Sequence, residues 1–103
     1  MPGNIEQQFD AAMMNIYRSA KFVAKYNAAR FLQMLNEHRG LKTAQILIHS
    51  QTVSDGYTAL WERGHLDLTV EALILDPKWI DLFDDEERSI ARNRLKEYGF
   101  KSE

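Results

Sequence analysis

The feature that most constrains the fold is a stretch near the N-terminus in which apolar side chains recur every three or four residues. This spacing puts the apolar side chains on one side of an α-helix and predicts an amphipathic helix over residues 5–26. Such a helix has to be covered by further elements along its apolar side. The apolar positions are Ile5, Phe9, Ala12, Met13, Ile16, Ala20 and Val23.

Shorter apolar segments with helical spacing follow, separated by residues that start or end helices. Gly40 and Gly64 predict helix ends, whereas Ser54 and Asp67 predict helix starts. Asn27 is a candidate N-cap for a second helix, although nothing at 26–27 forbids one continuous helix. The helices predicted from these signals cover 28–38, 41–49, 55–63 and 68–75.

Signals near the C-terminus predict one turn and one further helix. Asp76 precedes Pro77, an order that suits an N-cap followed by the first position of a short turn through residue 83. Asp84 and Glu87 have the spacing of a capping box, and Gly99 predicts the end of the last helix. The sequence therefore predicts an all-α fold, a single irregular bundle of five or six short helices. We expect one domain over residues 1–103, with 1–3 and 101–103 disordered.

The composition limits the classes of function. A chain of 103 residues, of which 45% are hydrophobic, suits one domain with one core. The absence of cysteine excludes disulfides, Cys-ligated zinc and a thiol nucleophile. No apolar run approaches the ~18 residues of a membrane span, and the first residues lack a signal-peptide pattern. We therefore expect a cytoplasmic protein that does not contact a membrane, or a soluble piece of a larger protein.

The residue types that carry most enzyme chemistry are sparse in this chain. His38, His49 and His65 lie on separate predicted helix ends or loops, so no two imidazoles have the spacing of a zinc site. Neither a nucleophile elbow nor a phosphate-binding glycine loop occurs. Glu62, His65 and Asp67 form the one carboxylate–histidine cluster, and solvated residues beside a turn are its commoner explanation. We predict no catalytic residue, no metal site and no cofactor, and a protein that is not an enzyme.

Charge is unevenly distributed, although the net charge is only −2. Residues 11–40 carry five basic side chains and one acid, whereas residues 76–87 carry six acids and one base. We expect these two segments to pack against each other, either within one molecule or across a dimer. The candidate partner contacts in the acidic segment are Asp84, Asp85 and Glu86.

Residues 38–47, with the sequence HRGLKTAQIL, resemble the second half of a helix-hairpin-helix element. In that family a glycine hairpin directs backbone N–H groups at a nucleic-acid phosphate, so the resemblance implies phosphate contact at this corner. This sequence departs from the family at His38, which stands in the place of the first hairpin glycine. An ordinary corner with a glycine C-cap explains the same residues. Together with the basic side of the first helix, the candidate phosphate contacts are Arg18, Lys21, Lys25, Arg39, Gly40 and Lys42.

Residues 26–32 (YNAARFL) and 54–72 (SDGYTALWERGHLDLTVEA) resemble a group of short bacterial all-helical proteins of unknown function. The resemblance spans most of the chain and implies a helical fold without implying an activity. We predict a non-catalytic interaction module, a small adaptor or regulator that contacts a protein partner or a second copy of itself. The alternative is a nucleic-acid-binding module that uses the corner at Gly40 and the basic side of the first helix.

Overall fold

A computed structural model describes residues 4–99, and these contain five α-helices and two 3₁₀ segments. The predicted all-α fold, an irregular bundle of five or six helices, is confirmed. The ends predicted to be disordered, 1–3 and 101–103, lie outside the described residues. The α-helices are α1 (Ile5–Phe22), α2 (Ala29–Ile48), α3 (Asp55–Glu62), α4 (Val70–Ile74) and α5 (Asp85–Glu97), and the 3₁₀ segments are Leu66–Leu68 and Pro77–Leu82.

The core lies where α1 and α2 meet the C-terminal elements. Phe9 and Met13 of α1 are fully buried there. The Phe9 ring packs edge-on against Trp79 and Phe83, at centroid distances of 5.2 and 5.4 Å. These aromatic contacts fasten the segment Pro77–Leu82 to the N-terminal half of α1.

The apolar stripe predicted on α1 is confirmed in its middle and wrong at its ends. Phe9, Met13 and Ala20 are buried, as the spacing predicts. Ile5 and Val23, the two outermost positions, are 37% and 58% exposed. Within the described residues, these two ends of the stripe therefore stay largely uncovered.

α1 and α2 are separate helices joined by residues 23–28, which answers the question that the sequence left open. α1 ends at Phe22, and Lys25 turns the chain by adopting a positive φ of 59°. The predicted cap at Asn27 is wrong, because α2 begins after Ala28, which forms no side-chain cap. No glycine marks this turn, and the one local signal that the sequence offered there, Asn27, does not cap α2.

α2 is kinked at Arg39, which lies inside the helix with φ 66° and ψ −178°. This conformation is almost restricted to glycine, so it is strained at arginine. The predicted boundary between two helices at residues 38–41 therefore takes the form of a kink, and its non-helical residue is Arg39 rather than Gly40. Gly40, the residue that follows the kink, must be glycine for a separate reason, which is its contact with α1.

Gly40 is buried against α1 at the site of the kink. Its backbone N–H donates to the Asp10 carboxylate over 2.6 Å, so α1 supplies the cap for the second half of α2. A Cβ at position 40 would lie 2.9 Å from the Asp10 Cα and 2.8 Å from its Oδ1. Only glycine permits this approach of the two helices.

The caps predicted at Ser54 and Asp84 are confirmed. The Ser54 hydroxyl accepts from the Tyr57 N–H over 3.1 Å, and Asp84 and Glu87 form a complete capping box. The cap at Asp76, followed by Pro77, is confirmed as well.

The cap predicted at Asp67 is wrong. Asp67 lies within the 3₁₀ segment Leu66–Leu68, and α4 begins after Thr69, whose hydroxyl accepts from the Ala72 N–H. The Thr69 side chain is buried and also donates to the Leu66 carbonyl over 2.7 Å. Thr69 therefore joins the 3₁₀ segment to α4, and a helix over 68–75 does not form.

Arg39→Gly is expected to raise the free energy of unfolding by about 1 kcal/mol, because glycine adopts the backbone conformation at position 39 without steric strain. Urea unfolding followed by circular dichroism measures this change. The matched control is Arg92→Gly in an exposed, regular part of α5, which should lower the same free energy by about 1 kcal/mol. Equal losses of unfolding free energy in Arg39→Gly and Arg92→Gly would contradict backbone strain at Arg39.

Candidate functional site

The last turns of α1 and the residues just after it form a basic surface, here called the basic end. It consists of Arg18, Lys21, Phe22, Val23 and Lys25, all of them exposed. Phe22 and Val23 are 67% and 58% exposed, a large fraction for apolar side chains. The Lys25 ammonium donates to the Phe22 carbonyl over 3.0 Å, and the Lys21 ammonium lies 6.0 Å from the centroid of the Phe22 ring. The cations and the apolar side chains thus form one continuous surface.

The remaining candidate phosphate contacts lie elsewhere, at the kink of α2. Arg39 and Lys42 are exposed there, beside the buried Gly40. Gly40 contacts Asp10, which is about 16 Å along α1 from Lys21. The structure therefore divides the six residues between two regions of the surface. The Gly40 N–H is bonded to a carboxylate rather than directed at solvent, which differs from the role that the hairpin resemblance implies.

A second charged surface lies around the start of α5 and is here called the acidic corner. It consists of Ile80, Asp81, Asp84, Asp85 and Glu86, all of them exposed. Ile80 is 54% exposed and is followed along the chain by Asp81. The three partner contacts predicted from the sequence, at positions 84–86, are therefore all accessible.

Arg88 holds the two parts of the acidic corner together. Its guanidinium donates to the Ile80 carbonyl over 2.9 Å and also to the Phe83 carbonyl, and it forms an ion pair with Asp85. Asp84 is engaged in capping α5. The Glu86 side chain forms no hydrogen bond or ion pair with the described residues, so its charge is available to a partner.

The basic end and the acidic corner lie toward opposite ends of α1. The segment that carries Ile80 packs on Phe9 through Trp79, whereas the basic end surrounds Phe22, about 20 Å further along the helix. The longest extent of the molecule is 38 Å. None of the ion pairs formed within residues 4–99 joins the two surfaces. The two charged segments are therefore not joined by ion pairs within the described part of one molecule, and contact between them across two copies stays a prediction.

The carboxylate–histidine cluster predicted near the turn at Gly64 is only partly assembled. His65 Nδ1 lies 3.7 Å from Asp67 Oδ1, on a pair of side chains open to solvent. Glu62 is exposed and makes no hydrogen bond or ion pair with either residue. Within residues 4–99, no group of three His, Asp or Glu side chains is placed to hold a metal ion.

A buried ion pair that the sequence analysis did not identify joins α4 to α5. An Arg94 Nη1 to Glu71 Oε2 distance of 3.0 Å defines the pair, and Glu71 is only 4% exposed. The same guanidinium donates to the carbonyls of Leu47 and Ser50, at 3.1 and 2.5 Å. Burial raises the pKa of the Glu71 carboxyl, and Arg94 opposes that shift. Arg94, which lies on α5, thus connects α5 to α4 through Glu71 and to the end of α2 through the carbonyls of Leu47 and Ser50.

One signal for this pair is present in the sequence. Glu71 is the only charged residue in the apolar run 68–75, LTVEALIL, and a carboxylate in a buried run needs a partner. Tyr57 packs nearby with a hydroxyl that is buried and has no hydrogen-bond partner in the described residues. Burial, reinforced by the Glu71 carboxylate, raises the pKa of Tyr57. No comparable signal in the sequence identified Arg94, the partner of Glu71, which lies 23 residues further along the chain.

Arg94→Ala is expected to lower the free energy of unfolding by about 3 kcal/mol, because it leaves the Glu71 carboxylate buried without a cation and two carbonyls without a donor. Arg94→Lys should lower the free energy of unfolding by less, because lysine keeps the positive charge although it lacks the forked donor geometry of arginine. Urea unfolding measures both changes. Arg92→Ala, two residues away on the exposed side of α5, is the control and should change stability by less than about 0.5 kcal/mol.

Similarity to other proteins adds nothing to this geometry. Comparison with protein families, with curated proteins and with solved structures finds no match to this chain. Within residues 4–99, no helix has both the length and the apolar character needed to cross a membrane.

Proposed function

We propose that this protein is a non-catalytic interaction module, in which the basic end of one copy binds the acidic corner of another. One observation carries the proposal. Two surfaces of opposite charge, each with at least one exposed large apolar side chain, lie toward opposite ends of α1, and no ion pair within residues 4–99 joins them. A second copy offers each surface a partner of complementary charge.

The apolar side chains and the charges have different roles in this contact. Burying a fully exposed side chain of this kind contributes about 1.5–3 kcal/mol. Phe22, Val23 and Ile80 are 67%, 58% and 54% exposed, so covering each of them contributes roughly half of that value. An exposed ion pair contributes only about 0.2–1 kcal/mol and is screened by salt. The apolar groups therefore supply most of the affinity. The charges decide orientation, because contact between two basic ends or between two acidic corners brings like charges together.

Sedimentation velocity tests the association. We expect the apparent mass to rise with protein concentration at low salt and to fall as the salt concentration is raised. Lys21→Glu and Glu86→Lys should each weaken association about tenfold, because each brings like charges into the contact. Glu62→Lys makes the same charge change as Glu86→Lys, on an exposed residue outside both surfaces, and serves as its control.

Mixing the two charge-reversed variants makes the test specific for the predicted pairing. The carboxylate introduced at position 21 of one variant then faces the ammonium introduced at position 86 of the other, so the mixture should associate more strongly than either variant alone. A wild-type protein that stays monomeric at all concentrations and salt conditions overturns self-association. Association that neither variant weakens assigns the contact to other surfaces.

A second candidate function is nucleic-acid binding by the basic end, for which the favouring observation is that Arg18, Lys21 and Lys25 are exposed and form no ion pair within residues 4–99. Filter binding with mixed-sequence DNA and RNA at low salt tests it. Binding that Lys21→Glu removes and Lys42→Glu leaves unchanged supports the basic end. Binding that Lys42→Glu removes and Lys21→Glu leaves unchanged supports the corner at Gly40. Nonspecific binders are expected to bind at about tens of micromolar protein, so the absence of binding in that range rejects both the basic end and this corner as nucleic-acid contacts.

A further inference from the structure

A cavity of about 400 Å³ opens between the two long helices and the start of α3. Residues from the C-terminal half of α1, from both halves of α2, and from the segments 50–57 and 68–71 line it. Its lining includes no residue of the basic end or of the acidic corner. The volume falls within the range of about 300–1,000 Å³ that is typical of small-molecule sites.

The wall of the cavity is largely apolar and contains aromatic rings. Ile16, Phe31 and Met34 line it and remain only partly buried, so the bundle leaves space between α1 and α2 that its own side chains do not fill. Protein interiors usually pack with few voids larger than a water molecule, so an apolar space of this size can take up a small molecule. The aromatic residues of the wall are Tyr17, Tyr26, Phe31 and Tyr57.

Gly56 lines the cavity, and neither its backbone nor its packing within residues 4–99 requires glycine. The other three glycines in these residues either adopt a positive φ or, at Gly40, lie too close to α1 for a side chain. Gly56 has no positive φ, and a Cβ there would meet only the Ser54 Oγ at 3.8 Å and the Tyr26 ring at 3.9 Å, which are ordinary contacts. Alanine would restrict the unfolded chain more and so favour folding. The glycine therefore serves to keep space open beside the Tyr26 ring rather than to form the fold.

The charged groups of the wall favour neither sign of charge in a ligand. Glu71 is the one buried charged side chain among the lining residues, and it is already paired with Arg94 at 3.0 Å. Arg30 and Asp55 are exposed and of opposite sign. The buried Tyr57 hydroxyl lacks a partner in the described part of the chain, but it is neutral and requires no ion. A charged group that entered the cavity would lose its hydration without gaining a counter-ion, so the wall suits an uncharged molecule.

We infer that this cavity is a binding site for an uncharged, hydrophobic compound with aromatic rings, which occupies the space beside Gly56. Transfer of apolar surface out of water drives such binding, and aromatic rings pack favourably edge-on or offset against the Tyr26 and Phe31 rings. The site requires no ion pair and lies apart from both charged surfaces, so it is independent of the proposed self-association.

An uncharged fluorescent probe with displacement by an uncharged competitor tests this inference. N-phenylnaphthylamine should bind in a saturable manner with an increase in fluorescence, and naphthalene, which has no hydrogen-bonding group, should displace it. The affinity of the probe should not fall as the salt concentration is raised, because no ion pair contributes to it. Self-association through the two charged surfaces, in contrast, should weaken with salt. No saturable binding, no displacement by naphthalene, or binding that salt abolishes overturns the inference.

Gly56→Leu tests whether the probe occupies this cavity rather than an exposed apolar surface. The leucine side chain should fill the space beside the Tyr26 ring and weaken binding of the probe about tenfold or more. Glu62→Leu introduces the same side chain at an exposed position of the same helix, outside the cavity lining, and should leave binding unchanged. Circular dichroism and urea unfolding verify that both variants fold. Gly56→Met, whose side chain is flexible, takes the place of Gly56→Leu if the leucine variant does not fold. Wild-type affinity in the folded variant at position 56 rejects the cavity as the site.

Gly56→Ala tests separately whether the fold needs this glycine. Because a Cβ at position 56 makes only ordinary contacts, we expect Gly56→Ala to fold and to unfold at a higher urea concentration than the wild type. A lower urea midpoint would show that the fold itself requires glycine at position 56 and would overturn its assignment to a ligand.

Discussion

The hydrogen bond between the Asp10 carboxylate and the Gly40 amide fixes α2 on α1, and the rest of the arrangement depends on it. The bond closes a loop of thirty residues at 2.6 Å, and it forms only because Gly40 has no side chain to hold the helices apart. The kink at Arg39 then directs the second half of α2, with the buried Ala44 and Ile48, into the core. A carboxylate at the start of that half-helix also favours its dipole.

Local signals in the sequence predicted the parts of the fold that depend on a few neighbouring residues. The caps at Ser54 and Asp84 are such cases, since each needs only a side chain and a backbone amide three residues away. The positive φ angles at Lys25 and Arg39 were not predictable, because neither residue favours that conformation. At Arg39 it accompanies the contact of the next residue, Gly40, with α1, which is distant in sequence. The Asp67 cap failed because Thr69, a second residue able to cap a helix, lies two positions later.

The sequence predicted which charged residues form the candidate site, but not how these residues are arranged in space. Segregation of acids and bases along the chain is visible in composition, and the acids at positions 84–86 are accessible as expected. Whether the two charged segments meet depends on where α1 places them, which periodicity does not encode. The exposure of Phe22 and Ile80 could not be predicted either. Helical spacing identifies the apolar side of a helix, but it does not show which of those residues the other elements cover.

The placement of two unlike surfaces at opposite ends of one helix has a consequence for assembly. When two copies join head to tail, one free surface is left at each terminus of the pair, and every added copy leaves the same two. Growth then stops by ring closure or by depletion of monomers, so the length distribution follows protein concentration. A subunit with a single working surface acts as a chain stopper, and a small fraction of it shortens the whole population of polymers.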